Sequence, residues 1–287
     1  MNCFNSERFL VEAIESVFAQ TFADWEIVFW DNLSSDGSAA IAKRYQGKLR
    51  YFRGTRHLSL GAARNEALSR TRGDYVSLLD CDDLWPPEKL AEQVAVLEAK
   101  PDIGLVYSNC AFIDEHGRQF TTYFDRVRPA AADGDIRMAL LTGRNFIASP
   151  AVLIRRSVLE RLGGFNEALH DAEDYELWVR IAGSSRVGRL DKPLAKWRLH
   201  GRNTTGFGSP RTTLEIMQVI RAGTLGAGLS LRDRCAVALR MGILRAKLVV
   251  LCLRRGELRM LLVQGLLGLF SPLHLGAAPP LAARRHE

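Results

Sequence analysis

The chain has 287 residues, 47% of them hydrophobic and 25% charged, so its composition is globular and excludes a disordered chain. This length allows one large domain with an appendage, or two modest domains. The formal net charge of +7 is uneven, because residues 221–287 hold 11 Lys and Arg against 3 Asp and Glu, a net +8, which leaves −1 for residues 1–220.

Strand-like and helix-like segments alternate along the first two thirds of the chain. Near the start, Leu10, Ile14 and Val17 share one face of a predicted helix. Strands are predicted at "WEIVFWD" (25–31), "LRYFR" (49–53), "DYVSLLD" (74–80) and "IGLVYSNCAFI" (103–113). Helices are predicted at "SSDGSAAIAKRYQ" (34–46), "LGAARNEALSR" (60–70) and "PPEKLAEQVAVLEA" (86–99). The alternation predicts an α/β fold with a mostly parallel sheet covered by helices on both sides.

Two of the predicted strands end in acidic residues, at Asp31 and Asp80. In an open parallel sheet, ligands bind beyond the carboxyl ends of the strands. We therefore expect Asp31, Asn32 and the acidic loop (residues 80–83, with Asp80, Asp82 and Asp83) to surround one crevice.

Three carboxylates within four residues repel one another, and two explanations fit that crowding. The acids could be solvated loop residues or caps of the helix that begins near Pro86. Alternatively they could bind a divalent cation, because Mg²⁺ typically takes one or two protein carboxylates together with substrate phosphates. Such a cation would also stabilise the charge that builds up on a departing phosphate.

The order and spacing of seven short segments resemble the family 2 glycosyltransferases, which have the nucleotide-sugar-binding GT-A fold. The resemblance extends from about residue 3 to residue 205. The segments are "CFN" followed by Glu7, "WDNLSSDGS", "GAARNEAL", "GDYVSLLDCDDLWPPEKL", "GGFNE", "AEDYELWVRI" and "KWRLH". The resemblance implies that a sugar is moved from a nucleotide diphosphate sugar, with UDP favoured by family frequency, to an acceptor hydroxyl with inversion.

The resemblance also implies a role for each matching residue. It places Asp31 and Asn32 at the base, Glu7 near the nucleotide, and Arg64 near the base or phosphates. Asp80 and Asp82 match the Asp-x-Asp motif of the family. Helix capping is the alternative for Glu7 and for the neighbouring Asp36, and a surface helical arginine is the alternative for Arg64.

The metal site and the base follow from the same resemblance. Mn²⁺ or Mg²⁺ is expected, with Asp82 as the first ligand and Asp83 and His200 as further ligands. Of the pair Glu173 and Asp174, the resemblance makes Asp174 the general base, with Glu173 as the alternative. Acids in the first turn of a helix, and a histidine with a purely structural role, remain the simpler interpretations.

The C-terminal region differs from the rest of the chain, and we predict two parts: a catalytic domain at 1–207 and a basic, amphipathic helical region at 208–287. Apolar runs and arginines at helical intervals indicate either a hairpin packed on the catalytic domain or, through 232–275, a helix on an anionic membrane surface. Membrane binding would suit a carbohydrate or lipid-linked acceptor in surface polysaccharide or glycolipid synthesis. No basic run is interleaved with aromatic residues, so nucleic acid is not an expected partner.

The cellular setting follows from cysteine usage and hydropathy. The five cysteines are odd in number, and no two are separated by only two residues, so neither a disulfide framework nor a zinc site is indicated. No signal peptide and no apolar run of about 18 residues is present in the sequence. We expect a cytoplasmic protein, peripheral on the inner face of the membrane.

The sequence departs from the family in one respect. The family normally has an apolar strand immediately before the position of "CFN", and that first central strand is apparently missing here. We therefore expect that the true start lies upstream. A catalytically impaired homologue that binds a membrane or a partner is the alternative function. A nucleotidyltransferase is a further alternative, but that class usually begins with a Gly-rich phosphate loop carrying a basic residue, and we find none in the sequence.

Overall fold

The computed structural model describes residues 1–129, 134–201, 203, 209–225, 228–255 and 257. This part of the chain forms strands β1 (Asn2–Cys3), β2 (Ile27–Asp31), β3 (Leu49–Arg53), β4 (Tyr75–Val76), β5 (Ile103–Ile113), β6 (Gln119–Thr122), β7 (Val152–Arg155) and β8 (Arg186–Arg198). Its helices are α1 (Glu7–Phe18), α2 (Ser38–Ala42), α3 (Leu60–Leu68), α4 (Lys89–Ala99), α5 (Tyr123–Arg126), α6 (Arg137–Thr142), α7 (Arg156–Leu162), α8 (Glu173–Ala182), α9 (Pro210–Thr224) and α10 (Leu231–Arg255). Short 3-10 turns lie at Lys43–Tyr45 and Ser149–Ala151.

The strands form two sheets that meet at the N-terminal segment. The first has the order β1-β2-β3, with all strands parallel. The second has the order β4-β7-β5-β6, in which these neighbours are antiparallel, and β8 pairs with β5 in parallel. A parallel bridge between Asn2 and Asp80 joins the first sheet to the acidic loop. The predicted α/β class is confirmed, with more antiparallel pairing than the alternation of segments indicated.

The position of the first central strand is occupied by only two residues. Strand β1 lies between β2 and the acidic loop, and its N-terminal ammonium donates a hydrogen bond to Val28 O at 2.8 Å. Below Met1, a cavity of about 770 Å³ separates Ile27 and Val28 from Ser77–Leu79. Of the predicted strand at 74–80, only Tyr75–Val76 form a strand, paired with β7, and Asp80 contributes the isolated bridge to Asn2.

The helices cover the sheets with the apolar faces that the sequence predicted. Leu10, Ile14 and Val17 of α1 are buried, as are Leu90 and Leu97 of α4. Burial of such apolar stripes is the main favourable contribution to folding.

The C-terminal helices belong to the same hydrophobic core as the preceding elements. Val219 and Ile220 of α9 and Leu244 of α10 pack in one cluster with Leu140 of α6 and Trp178 of α8. Residues 209–255 therefore share a core with residues before 207, as far as the chain is described. None of the described helices is both long and apolar enough to cross a bilayer. Residues 258–275 of the predicted membrane-binding stretch lie outside the described residues.

Candidate active site

A cavity of about 320 Å³ opens beyond the carboxyl ends of β1 and β2. Its wall combines the segment after β1, the start of α3, the acidic loop, the turn at 145–150, the start of α8, and residues after β8. Eight of the predicted site residues line it: Asn32, Arg64, Asp80, Asp82, Asp83, Glu173, Asp174 and His200. The fold thus brings together acids that are about ninety positions apart in the sequence.

The three carboxylates of the acidic loop have three different partners. Arg64 Nη2 donates to both oxygens of Asp80, at 3.2 and 3.3 Å. Asp82 Oδ2 lies 3.0 Å from Nε2 of His200. Asp83 is 2% exposed, and its Oδ1 accepts the backbone N–H of Arg198 at 2.9 Å.

Burial and mutual repulsion change the acidity of two members of the loop. Burial, followed by the charge of Asp80, raises the pKa of Asp82 above the ordinary value of 3.8. For Asp83, burial and then the charges of Asp82 and Asp80 raise the pKa well above that value. The crowding is therefore relieved in part by distinct partners and in part by the tendency of Asp83 to keep its proton.

A divalent cation fits the exposed half of this loop. The Asp82 side chain is 28% exposed and faces the cavity together with His200. No cluster of three or more His, Cys, Asp or Glu side chains suited to a metal occurs among the described residues. Asp82 and His200 could therefore supply two ligands, and phosphate oxygens and water would have to supply the rest, as is usual for Mg²⁺.

Arg64 connects the acidic loop to the start of α8. It is 4% exposed, and its Nη1 donates to Glu173 Oε1 at 2.9 Å while Nη2 contacts Asp80. Burial disfavours its charge, but the carboxylates of Asp80 and Glu173 outweigh burial and raise its pKa. This arginine is buried between two acids and is not the surface helical residue considered as the alternative.

Glu173 and Asp174 have different surroundings although they are adjacent. Burial raises the pKa of Glu173 to about 7, and its side chain is 5% exposed against Arg64. Asp174 Oδ2 accepts a hydrogen bond from Ser149 Oγ at 2.7 Å, and Oδ1 accepts one from the backbone N–H of Tyr175. Burial also raises the pKa of Asp174, while the Ser149 hydrogen bond opposes the rise. Both line the cavity, but the carboxylate of Glu173 is already in an ion pair.

The residues predicted to bind the base are tied into the protein. Asp31 is fully buried and accepts hydrogen bonds from Ser34 N at 2.7 Å and Tyr51 Oη at 2.6 Å, and it lies outside the cavity wall. Burial, followed by the hydrogen bond to Asp31, raises the pKa of Tyr51 to about 12. Asn32 lines the cavity, and its amide exchanges two hydrogen bonds with the backbone of Leu58, at 2.9 and 3.0 Å.

Glu7 and Asp36 lie outside the cavity wall and join α1 to α2. Glu7 Oε2 accepts the N–H of Gly37 at 2.6 Å, and Asp36 accepts the N–H of Glu7 at 3.0 Å. The observed contacts are those of the capping alternative.

The sequence analysis assigned no role to several residues that line the cavity. Ser149 belongs to a single 3-10 turn whose position depends on tertiary packing. Phe4, half exposed, forms an edge contact with the ring of His57, with centroids 4.4 Å apart. Other lining residues of this kind include Arg8, Tyr123, Asn145, His170, Asp171, Trp197 and Asn203.

Comparison with known proteins identifies the family of this chain. Residues 1–163 match the family model described as "Glycosyl transferase family 2". An uncharacterized glycosyltransferase, MJ1057 of Methanocaldococcus jannaschii, is 30% identical over 202 residues, which are 69% of this chain and 68% of the relative. The chain thus spans about two thirds of that relative's length.

Two solved structures share the fold. TarS 1–349 of S. aureus in complex with UDP-GlcNAc has a TM-score of 0.67 and 23% identity, and the match covers 84% of this chain and 70% of that TarS fragment. Mannosyltransferase PcManGT of Pyrobaculum calidifontis, in complex with GDP-Man and Mn²⁺, has a TM-score of 0.62 and 19% identity, and the match covers 99% of this chain and 85% of the mannosyltransferase. The fold is therefore GT-A, and the chain belongs to glycosyltransferase family 2.

Proposed function

We propose that this protein transfers a sugar from a nucleotide diphosphate sugar, with UDP as the favoured nucleotide, to an acceptor hydroxyl with inversion at the anomeric carbon. The observation that carries the proposal is the convergence of Asp82, His200 and Asp174 on one cavity. The two structural neighbours contain UDP-GlcNAc and GDP-Man, which supports a nucleotide-sugar donor.

The donor is oriented by two parts of the wall. The nucleoside would lie against Phe4 and Asn32, and the diphosphate would face Asp82 and His200. Mn²⁺ or Mg²⁺ held by Asp82 and His200 would neutralise charge on the departing diphosphate. Asp83 would not be a ligand, because its side chain is buried and its Oδ1 accepts a hydrogen bond from the backbone N–H of Arg198.

Asp174 acts as the general base, and the acceptor hydroxyl gives its proton to this carboxylate. As the acceptor oxygen forms its bond to the anomeric carbon, the bond from that carbon to the diphosphate oxygen breaks and the nucleoside diphosphate leaves. One displacement inverts the anomeric centre, so a single base is enough. The raised pKa of Asp174 brings this base closer to neutral pH, where proton transfer is more efficient.

The acceptor is a carbohydrate or lipid-linked sugar used in surface polysaccharide or glycolipid synthesis, and the protein is peripheral on the inner face of the membrane. Helix α10 supports this part of the proposal, because apolar side chains such as Leu239 and Leu253 are 68% and 59% exposed on a helix rich in arginine. Residues 1–207 form the catalytic part, and the C-terminal region from 208 supports it and binds the membrane.

The test is an assay of nucleoside diphosphate release with a panel of nucleotide sugars, simple glycosides as acceptors, and Mn²⁺ or Mg²⁺. Acceptor-dependent release is expected, and Asp174→Asn should reduce it by about 10²–10⁴-fold while nucleotide still raises the thermal stability. Asp24→Asn, at an exposed loop position, is the matched control. Nucleotide binding without any turnover would contradict the proposal and favour the impaired homologue.

A further inference from the structure

Glu215 of α9 makes a contact with the segment that leads into α8. Its side chain is 6% exposed and accepts three consecutive backbone N–H groups. Oε2 accepts from Asp171 at 2.7 Å and from Ala172 at 3.0 Å, and the two oxygens share the N–H of His170 at 3.0 and 3.2 Å. Glu215 lies beyond residues 1–163, which match the family model.

These three donors immediately precede the helix that carries Asp174. The first N–H groups of a helix have no partner within it, and a capping side chain usually supplies one. Here the N-cap residue of α8 is Ala172, whose side chain cannot accept a hydrogen bond. Glu215 supplies, from a distant part of the chain, acceptors for the backbone at this end of α8.

The contact is reciprocal. The carboxylate of Asp171 accepts from Ser209 Oγ at 3.3 Å and from Thr212 Oγ1 at 2.7 Å, at the N-terminus of α9. Each helix start is thus held by a carboxylate from the other segment. His170 and Asp171 also line the cavity, so the segment that these contacts hold is part of its wall.

We propose that Glu215 is a positioning residue for the transfer reaction: it fixes residues 170–172 and thereby the placement of Asp174 beside Ser149. This inference rests on the proposed function of Asp174. A displacement of about 1 Å in a reacting group can cost on the order of 10²-fold in rate. Because the nucleotide end of the cavity is built by other segments, donor binding should be much less affected than turnover.

The test compares Glu215→Ala and Glu215→Gln with the unmodified protein. In Glu215→Ala we expect kcat to fall by about 10- to 100-fold, with the KM for the donor changed less than about twofold. Glu215→Gln keeps one acceptor oxygen in the same place and should recover part of the lost kcat. Hydrogen exchange of the amides of residues 170–172 should be faster in Glu215→Ala.

Val219→Ala controls for a general loss of stability. Val219 is buried on the same helix, but its side chain forms no hydrogen bond to the 170–172 segment. Unchanged kcat in Glu215→Ala, or an equal loss of kcat in Val219→Ala, would overturn the proposal. If the protein turns over no nucleotide sugar, the proposed function fails separately. Equal amide protection with and without Glu215 would still overturn the positioning role in that case.

Discussion

The carboxylates of the acidic loop differ in whether their oxygens are available to bind a metal ion. Asp82 faces the cavity with His200, whereas Asp83 is buried against the backbone of Arg198. We expect Asp82→Asn to abolish the additional thermal stabilisation that Mn²⁺ gives in the presence of UDP. Asp83→Asn should keep it, because an amide oxygen can accept the same N–H and the raised pKa of Asp83 favours an uncharged group. Loss of the Mn²⁺ effect in Asp83→Asn alone would reverse this assignment.

The hydrogen bond from Ser149 to Asp174 predicts how kcat/KM depends on pH. Asp174 must be ionised to accept a proton, so kcat/KM should fall as the pH drops through its pKa, which burial raises above 3.8. Ser149 stabilises the charged form, so Ser149→Ala should move this acid limb to higher pH, by about 0.5–1 unit for a hydrogen bond of about 1 kcal/mol. The measurement is the pH profile of kcat/KM, with Ser69→Ala as the control. A limb that stays in place or moves to lower pH would exclude this role for Ser149.

Site residues were predictable where the chemistry depends on charged side chains in a spaced pattern. The meeting of strand ends at one edge of a sheet predicted that Asn32 and the acidic loop would lie together, and both line the cavity, although Asp31 does not. Asp174 and His200 were predicted only from the resemblance to the family, and they line the same cavity. The exact partner of each acid was not predictable. Whether Asp83 faces a cation or the backbone of Arg198 depends on how β8 packs beside the loop, and no local pattern encodes that contact.

At the scale of elements, some strands were predicted with the observed bounds and others were not recognised. The segments 49–53 and 103–113 are strands β3 and β5 with the predicted bounds. Strand β7, of four residues, and β6, whose residues are partly exposed, have too little periodicity to be recognised. Both pair antiparallel with β5, which explains why strand–helix alternation alone indicated a more parallel sheet.

Arg64 links three elements, α3, the acidic loop and α8, and its loss should therefore be costly. Removing one partner of a buried ion pair leaves an uncompensated charge, which costs about 3–5 kcal/mol. We expect Arg64→Ala to lower the free energy of unfolding by about this amount in urea at pH 8. Arg186→Ala, in an exposed pair with Asp102, should cost less than about 1 kcal/mol. A loss from Arg64→Ala as small as that of the exposed control would contradict a structural role.

The same substitution should change how stability depends on pH. The folded-state pKa of Glu173, about 7, lies above its ordinary 4.5, so folding takes up a proton between these values. The stability that Glu173 contributes is therefore present below pH 4.5 and is lost as the pH rises to about 7. Because Arg64 lowers this pKa, Arg64→Ala should extend the loss to higher pH, which unfolding curves at several pH values would show.

Considered as a whole, the molecule has its basic charge concentrated near the C-terminus, but the C-terminal helices share a hydrophobic core with the preceding elements. The excess of basic residues lies after residue 220, yet α9 and α10 pack on α6 and α8 in one hydrophobic cluster. Composition detected the change in charge at the C-terminal region. It could not show that α9 would hold the start of α8, because the contact of Glu215 with the 170–172 segment joins positions more than forty residues apart.

One face of α10 remains apolar and exposed over the described helix. Leu239, Ile243, Val250 and Leu253 are 48–68% exposed and lie within about 40° of one direction at 100° per residue. Leu244, Leu248 and Cys252 form the opposite, buried face. Basic side chains flank the exposed face, among them Lys247 and Arg254, while the described helix contains one acid, Asp233. A second copy of the helix would bring like charges together, so the charge pattern favours an anionic lipid surface.

We therefore expect the protein to co-sediment with vesicles that contain phosphatidylglycerol, and to do so less as salt rises. Ile243→Asn combined with Val250→Asn should weaken binding by about tenfold or more, because burial of each such side chain contributes about 1.5–3 kcal/mol. Val11→Asn, at a 42% exposed position on α1, is the matched control and should bind as the unmodified protein does. Equal binding by the double variant, or equal binding to neutral vesicles, would show that this face of α10 does not contact anionic lipid.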